Sequence, residues 1–179
     1  MIDELKVETS EIEGKYLTFN LMDEFYGVNV DWILQIIAIP YITKIPKTPH
    51  FVKGVINLRG KIIPVIDLRL RFRLPEQEYN ERTSIVIIKI KTEKSEVFIG
   101  IIVDKVLEVL DIHANQIEPT PTFGVDLDTK FILGMAKVKN LVVSLLNMNE
   151  VLTNIELQTA YSHTSHADVL RCHMQQAQM

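Results

Sequence analysis

A single cysteine, Cys172, is all the thiol chemistry this chain of 179 residues carries. That excludes an internal disulfide framework and fits a reducing compartment. The residue lies in a stretch of little periodicity, a poor place for a catalytic thiol, which needs a fixed base and an activating environment. Long apolar runs are also missing. Stretches such as Ile33 to Ile39 and Ile85 to Ile88 fall far short of the roughly 20 residues that a membrane-spanning helix needs. The acidic opening, Met1 to Gly14, has no apolar core and does not read as a signal peptide. The few glycine pairs are widely spaced and sit on strands, so there is no phosphate-cradling loop. There is no Gly-x-Ser-x-Gly elbow, and no carboxylates stand in a recognisable acid–base motif. Glu76 and Glu78 fall in a polar connecting stretch and read as solvated charges. A soluble cytoplasmic protein is expected.

What the chain does have is an internal echo. Val52-Lys-Gly-Val-Ile-Asn-Leu-Arg-Gly-Lys-Ile-Ile-Pro-Val-Ile-Asp67 recurs in degraded form as Leu133-Gly-Met-Ala-Lys-Val-Lys-Asn-Leu-Val-Val-Ser-Leu-Leu-Asn147, Gly54 matching Gly134 at an offset of 80. Upstream of each, Gly27 to Ile37 lines up with Gly100 to Leu110 at an offset of 73. The order is the same both times, so the chain reads as a duplicated unit of about 75 residues. Two similar modules side by side create a groove, which suits a binding protein.

Local signals place hairpins in both copies. Tyr16–Met22 and Phe25–Val30 are rich in aromatic and β-branched residues and are separated by Asp23-Glu24. Gly54–Leu58 and Lys61–Ile66 flank Arg59-Gly60, and the second copy has Lys139-Asn140 at the same place, residues that tolerate positive φ. Ser84–Lys91 and Val97–Val103 flank a charged turn, and Phe131–Val138 with Leu141–Leu146 form the last hairpin. Val30 to Ile37 has helical spacing but is short and isoleucine-rich, and stays open between helix and strand. Consecutive apolar positions (Ile62-Ile63, Val65-Ile66, Val142-Val143) imply strands covered on both faces, as in small barrels packed together. Pro64 implies an edge position or an unneeded amide. The expected organisation is a leader over 1–14, a repeat domain over 15–152 and a short helix followed by a mobile tail over 153–179. The repeat domain divides into subdomains of about 15–74 and 83–152, joined by a polar linker at about 75–82.

The net charge of −4 hides an asymmetry. Lys44 to Arg73 holds eight bases and one acid, Asp67; Glu76 to Asp128 holds eleven acids and five bases. Ordinary solvated faces account for such runs most simply, and charge-complementary association is the sharper alternative. Nucleic-acid binding through 44–73 is a weak rival, since the bases are not interleaved with exposed-looking aromatics and the whole chain is acidic. His163, His166, Cys172 and His173 could supply four zinc ligands. The surrounding segment has no sign of the folding unit a structural site brings, so no metal is assigned. Arg59, at a tight hairpin tip, is either a solvated turn residue or a planar donor fork offered to a partner carboxylate or carbonyl.

The run Gly54 to Arg69, with Gly100-Ile-Ile-Val-Asp104, Ile117-Glu-Pro-Thr-Pro121 and Ile132-Leu-Gly134, resembles the CheW family of bacterial chemotaxis coupling proteins over about residues 15–152. The resemblance implies an all-β fold of two tandem five-stranded SH3-like barrels with short helical segments, no catalysis and no cofactor. It implies an adaptor between methyl-accepting chemoreceptor tips and the regulatory domain of the histidine kinase CheA. Such a protein is cytoplasmic, sits at membrane-associated receptor arrays without inserting directly into the membrane, and binds no nucleic acid. Carried over by position, Ile33, Gln35, Arg59, Gly100 and Val106 line or flank a groove for the receptor's helical hairpin, in helix-in-groove fashion. Ile42, Lys53 and Gly54 make the kinase contact. Family members often carry glutamate where this chain has Gln35, which cannot form an ion pair with Arg59. The tail 153–179 matches nothing in the family pattern.

Overall fold

The computed structural model describes residues 10–91, 95–121 and 129–152. Eleven strands dominate them: β1 (Gly14–Leu21), β2 (Glu24–Asn29), β3 (Ile33–Ala38), β4 (Val52–Leu58), β5 (Lys61–Asp67), β6 (Ser84–Lys91), β7 (Glu96–Val103), β8 (Lys105–Ile112), β9 (Ile117–Glu118), β10 (Ile132–Val138) and β11 (Leu141–Leu146). Two short helices, α1 (Leu68–Arg71) and α2 (Met148–Val151), follow β5 and β11. The all-β class with short helical segments is what the sequence led one to expect.

Turn chemistry fixes the repeated hairpins. Arg59 and Gly60 have φ of 52° and 85°, and Lys139 and Asn140 have 49° and 66°. Positive φ at both central positions is the geometry whose twist matches that of the flanking strands. Asn57 Oδ1 accepts from the Gly60 amide at 2.9 Å and pins the first of these turns. The open segment after residue 29 also resolves. Asn29 caps a single 3₁₀ turn, Val30–Trp32, through the Asp31 amide. The chain then enters β3, with Ile33 opposite Ile88. Pro64 sits in an interior strand, not at an edge. Both backbone groups of Val55 bond to Thr43 at 2.9 Å. The Val55–Pro64 pair across β4 and β5 is therefore a non-hydrogen-bonded one, and the proline nitrogen points toward β7. Pairing there begins only at Val65, so the missing N–H costs no ladder bond.

The strands form two open sheets, ordered β8-β1-β2-β11-β10-β9 and β3-β6-β7-β5-β4; they are called sheets A and B below. By the repeat offsets, β1, β2, β3, β4 and β5 correspond to β6, β7, β8, β10 and β11. Each sheet therefore takes its first hairpin from one unit and its other three main strands from the other unit. The seams mirror one another: β2 runs parallel to β11 and β5 parallel to β7, while β1–β8 and β3–β6 are antiparallel. The expected split into 15–74 and 83–152 is thus not how the strands sort. Turn signals are local and reveal the hairpins, but not which hairpins pair. The leader also ends before Gly14, which already pairs with Ile112 in β1, while Tyr16 Oη donates to Ile12 O at 2.6 Å. The expected helix and tail over 153–179, and the histidines considered for metal, lie outside the described residues.

Burial follows from this weave. Ile85 and Ile87 of β6 face a cluster inside sheet B with Ile63, Val65 and Ile102. Val86, Ile88 and Ile90 face the opposite way, into a central cluster shared with Phe19, Leu21, Leu146 and Met148. A third cluster, with Tyr16, Ile112, Val143 and Leu145, fills sheet A. Consecutive apolar residues are thereby covered on both faces, each fully buried side chain contributing about 1.5–3 kcal/mol. The junction repeats the duplication: Asp67 N donates to Phe51 O and Asn147 N to Phe131 O, both at 2.8 Å. Between those two phenylalanines lies the Arg71 guanidinium, 5.2 and 4.9 Å from the ring centroids.

Candidate functional site

The linker is fastened by charge. Asp67, 2% exposed, caps α1 through the Arg69 amide at 2.9 Å and accepts from Tyr79 Oη at 2.8 Å. Burial, and then donation to this carboxylate, push the Tyr79 phenol far above its ordinary range. Arg69 forks onto Asp104 at the corner between β7 and β8, Nε to Oδ1 at 2.7 Å and Nη2 to Oδ2 at 2.6 Å. It also donates to Pro75 O at 3.1 Å and to Gln77. The Asp104 hydrogen bonds raise the Arg69 pKa further, against the opposing effect of burial. Asp104 Oδ2 accepts the Met22 amide from the β1–β2 turn at 2.7 Å. One part-buried ion pair therefore joins sheet A, sheet B and the linker. Nothing in the sequence beyond the repeat's own Asp104 flagged it, because its partners are 35 residues apart.

Next to it lies the first candidate surface. Gly54 has φ 137° at a register shift in β4. A Cβ there would sit 2.0 Å from Thr43 O and 3.1 Å from Ile42 Cγ2, so only glycine admits the segment that carries Ile42. Lys53 Nζ reaches Glu76 Oε1 at 2.9 Å and lies 5.7 Å from the Tyr79 ring centroid. Lys53 holds the Glu76 carboxyl below its ordinary value, chiefly through this hydrogen bond. Ile42, Lys53 and Gly54 thus converge on the outer edge of sheet B. Glu76, read as a solvated charge from sequence, is exposed and also partners Lys53.

The residues expected at a groove are only partly brought together. Ile33 and Val106 are repeat equivalents, each the first apolar residue of an edge strand and each packed against the central cluster. Both stand at register shifts: β3 slips between Ile33 and Gln35, and β8 between its partners of Phe19 and Leu17. Thr18 fills the second slip, donating to Glu108 O at 2.7 Å. Bulges of this kind re-aim side chains, here on both sides of the junction between the sheets. Gln35 is half-buried beside Ile33. Arg59 is exposed at its hairpin tip, and among the described residues no ion pair or hydrogen bond engages its guanidinium. Gly100 does not reach a surface. It is buried in β7, where a Cβ would lie 2.7 Å from Ile85 Cγ2; it serves close packing inside sheet B rather than lining a groove.

The basic run does not form one patch. Arg69 and Lys53 are paired, Lys61 lies over Phe98 at 4.8 Å, and Arg71 donates to Val151 O at 3.0 Å. Sequence reasoning missed the outward apolar residues Leu34 and Ile36 on β3, Val109 on β8 and Tyr41, the last 84% exposed. Alternating burial along β3 would have revealed the first two had that segment been read as a strand. No helix among the described residues is long and apolar enough to cross a membrane.

The CheW-like domain family matches residues 15–156. The chain is 33% identical over 152 residues to the chemotaxis protein CheW of Klebsiella aerogenes, covering 85% of this chain and 89% of that one. It is 34% identical over 155 residues to the chemotaxis protein CheW of Bacillus subtilis, covering 85% and 96%. The solved scaffolding protein TtCheW of Thermoanaerobacter tengcongensis superposes with a TM-score of 0.70 at 36% identity, over 80% of this chain and 95% of that one.

Proposed function

The chain belongs to the CheW-like family, and from that premise we propose that it is a non-catalytic adaptor coupling chemoreceptors to the histidine kinase CheA in chemotaxis signalling. Its place is the cytoplasm, at membrane-associated receptor arrays, with neither nucleic acid nor direct membrane insertion involved. The observation that carries the reading is the convergence of Ile42, Lys53 and Gly54 on one edge of sheet B. This patch sets the apolar Ile42 beside the Lys53–Glu76 ion pair, a combination suited to the regulatory domain of CheA. Ile33 and Val106, at the bulges beside the sheet junction, supply apolar contact for the helical tip of a methyl-accepting chemoreceptor. Arg59, without a partner among the described residues, supplies an orienting charge.

Co-sedimentation tests the reading. Membranes bearing chemoreceptors are mixed with CheA, with and without the purified chain. Kinase in the pellet only when the chain is present is the expected result; recruitment that ignores the chain contradicts it.

A further inference from the structure

The weave of the two sheets has a consequence for how copies of this chain can meet. Within the first unit no ladder joins the β1–β2 hairpin to β3 or to the β4–β5 hairpin, and within the second none joins β6–β7 to β8 or to β10–β11. Each unit alone is a set of separate hairpins and a strand, the β10–β11 hairpin being extended only by the two residues of β9, and isolated hairpins are marginal in water. Apart from the two-residue β9 on β10, the pairings that turn them into sheets run between units: β1–β8, β2–β11, β3–β6 and β5–β7. The central apolar cluster is likewise drawn from both units.

The covalent link between the units is short, and its hinge can be located. Residues 75–79 stay with the first unit, through Arg69 to Pro75 O, Arg69 to Gln77 and Tyr79 to Asp67. The chain then reverses in one turn, Asn80 to Thr83. Thr83 N donates to Asn80 O at 3.1 Å, Asn80 N to Thr83 Oγ1 at 3.0 Å and Arg82 N to Asn80 Oδ1 at 2.9 Å. Beyond this turn β6 begins.

We propose that a second copy of the chain is a partner through reciprocal exchange of whole repeat units about the Asn80–Thr83 turn. The first unit of each copy completes both sheets with the second unit of the other. Every seam, the Arg69–Asp104 pair and all three apolar clusters re-form between copies, and only the hinge turn opens. The difference between the two states is then mainly the entropy of association, so concentration and hinge length decide between them. Ile33 and Val106 belong to different units, so each junction in the dimer is built from two chains. The inference rests on strand order and stands whether or not the adaptor reading holds.

Full-length chain carrying Cys172→Ser, Ala38→Cys and Ser84→Cys tests it, since residues 38 and 84 face each other across the β3–β6 seam. The protein is unfolded, refolded at micromolar and at millimolar concentration, oxidised, and analysed by light scattering and non-reducing electrophoresis. Expected are a covalent monomer at low concentration and a folded, covalently linked dimer at high concentration. Deleting Glu81 and Arg82 raises the dimer fraction about tenfold at equal concentration. Lys15→Cys with Asp111→Cys, across the β1–β8 seam, gives the same readout should the first pair disturb folding. A dimer whose disulfides all close within single chains overturns the proposal. So does a chain that stays monomeric at both concentrations with the hinge shortened.

Discussion

Arg69 and Asp104 meet through two hydrogen bonds, of 2.7 and 2.6 Å, with side chains 10% and 24% exposed. Removing the carboxylate leaves the guanidinium buried without its counter-ion and the Met22 amide without an acceptor. Asp104→Ala is expected to destabilise the fold by about 3 kcal/mol. Replacing both residues by apolar ones should cost less than the two single changes added together. Urea unfolding of the three variants measures this; additive losses would mean the pair is not a coupled unit.

Two glycines with positive φ separate backbone strain from steric collision. Gly60, with φ 85°, has nothing within 4 Å of a built Cβ, so Gly60→Ala should cost only about 1 kcal/mol. Gly54→Ala drives a methyl group into the Thr43 carbonyl and breaks the Thr43–Val55 bridge. Its expected cost is about 3 kcal/mol, together with displacement of Ile42. Thermal unfolding checks the order; equal losses would contradict it.

The Lys53–Glu76 contact has a definite acid signature. Lys53 depresses the folded-state pKa of Glu76 below its ordinary 4.5. Whatever the contact contributes is therefore present above 4.5 and lost as the pH falls through the depressed value. Carboxyl resonances of Glu76 should titrate below 4.5 in the parent and move up toward 4.5 in Lys53→Met. A midpoint unchanged by that substitution would show that the contact is not populated in solution.

Legibility from sequence tracks the range of the interaction. Arg59-Gly60 and Lys139-Asn140 announce their turns because positive φ is a local demand. The doubled isoleucines announce two-sided burial for the same reason. β3 and β8 were the obscure strands: both lie at sheet edges, and β8 carries Lys105, Glu108 and Asp111 among its apolar residues. The exchange of hairpins was invisible, since nothing local distinguishes β1 pairing with β8 from β1 pairing with a strand of its own unit. Gly100 was placed at a groove by resemblance; the contact that explains it, with Ile85 across the β6–β7 hairpin, appears only in three dimensions. Ile42, Lys53 and Gly54 were grouped by resemblance, and Glu76 was left out because its pairing with Lys53 depends on where the linker folds back.

Arg59 is exposed and unpartnered among the described residues, so Arg59→Ala should leave stability within about 0.5 kcal/mol of the parent. Loss of one charge-assisted hydrogen bond should weaken binding to a chemoreceptor cytoplasmic fragment about tenfold. Surface-immobilised receptor fragment provides the assay. Undiminished affinity in the folded variant would remove Arg59 from the receptor surface without touching the adaptor reading.

The most direct measurement is calorimetric titration of the chain into the regulatory domain of CheA from the same organism. The account predicts saturable binding with micromolar or tighter affinity, abolished in a folded Lys53→Glu variant. Absence of heat from folded partners, or binding indifferent to that charge reversal, would contradict it.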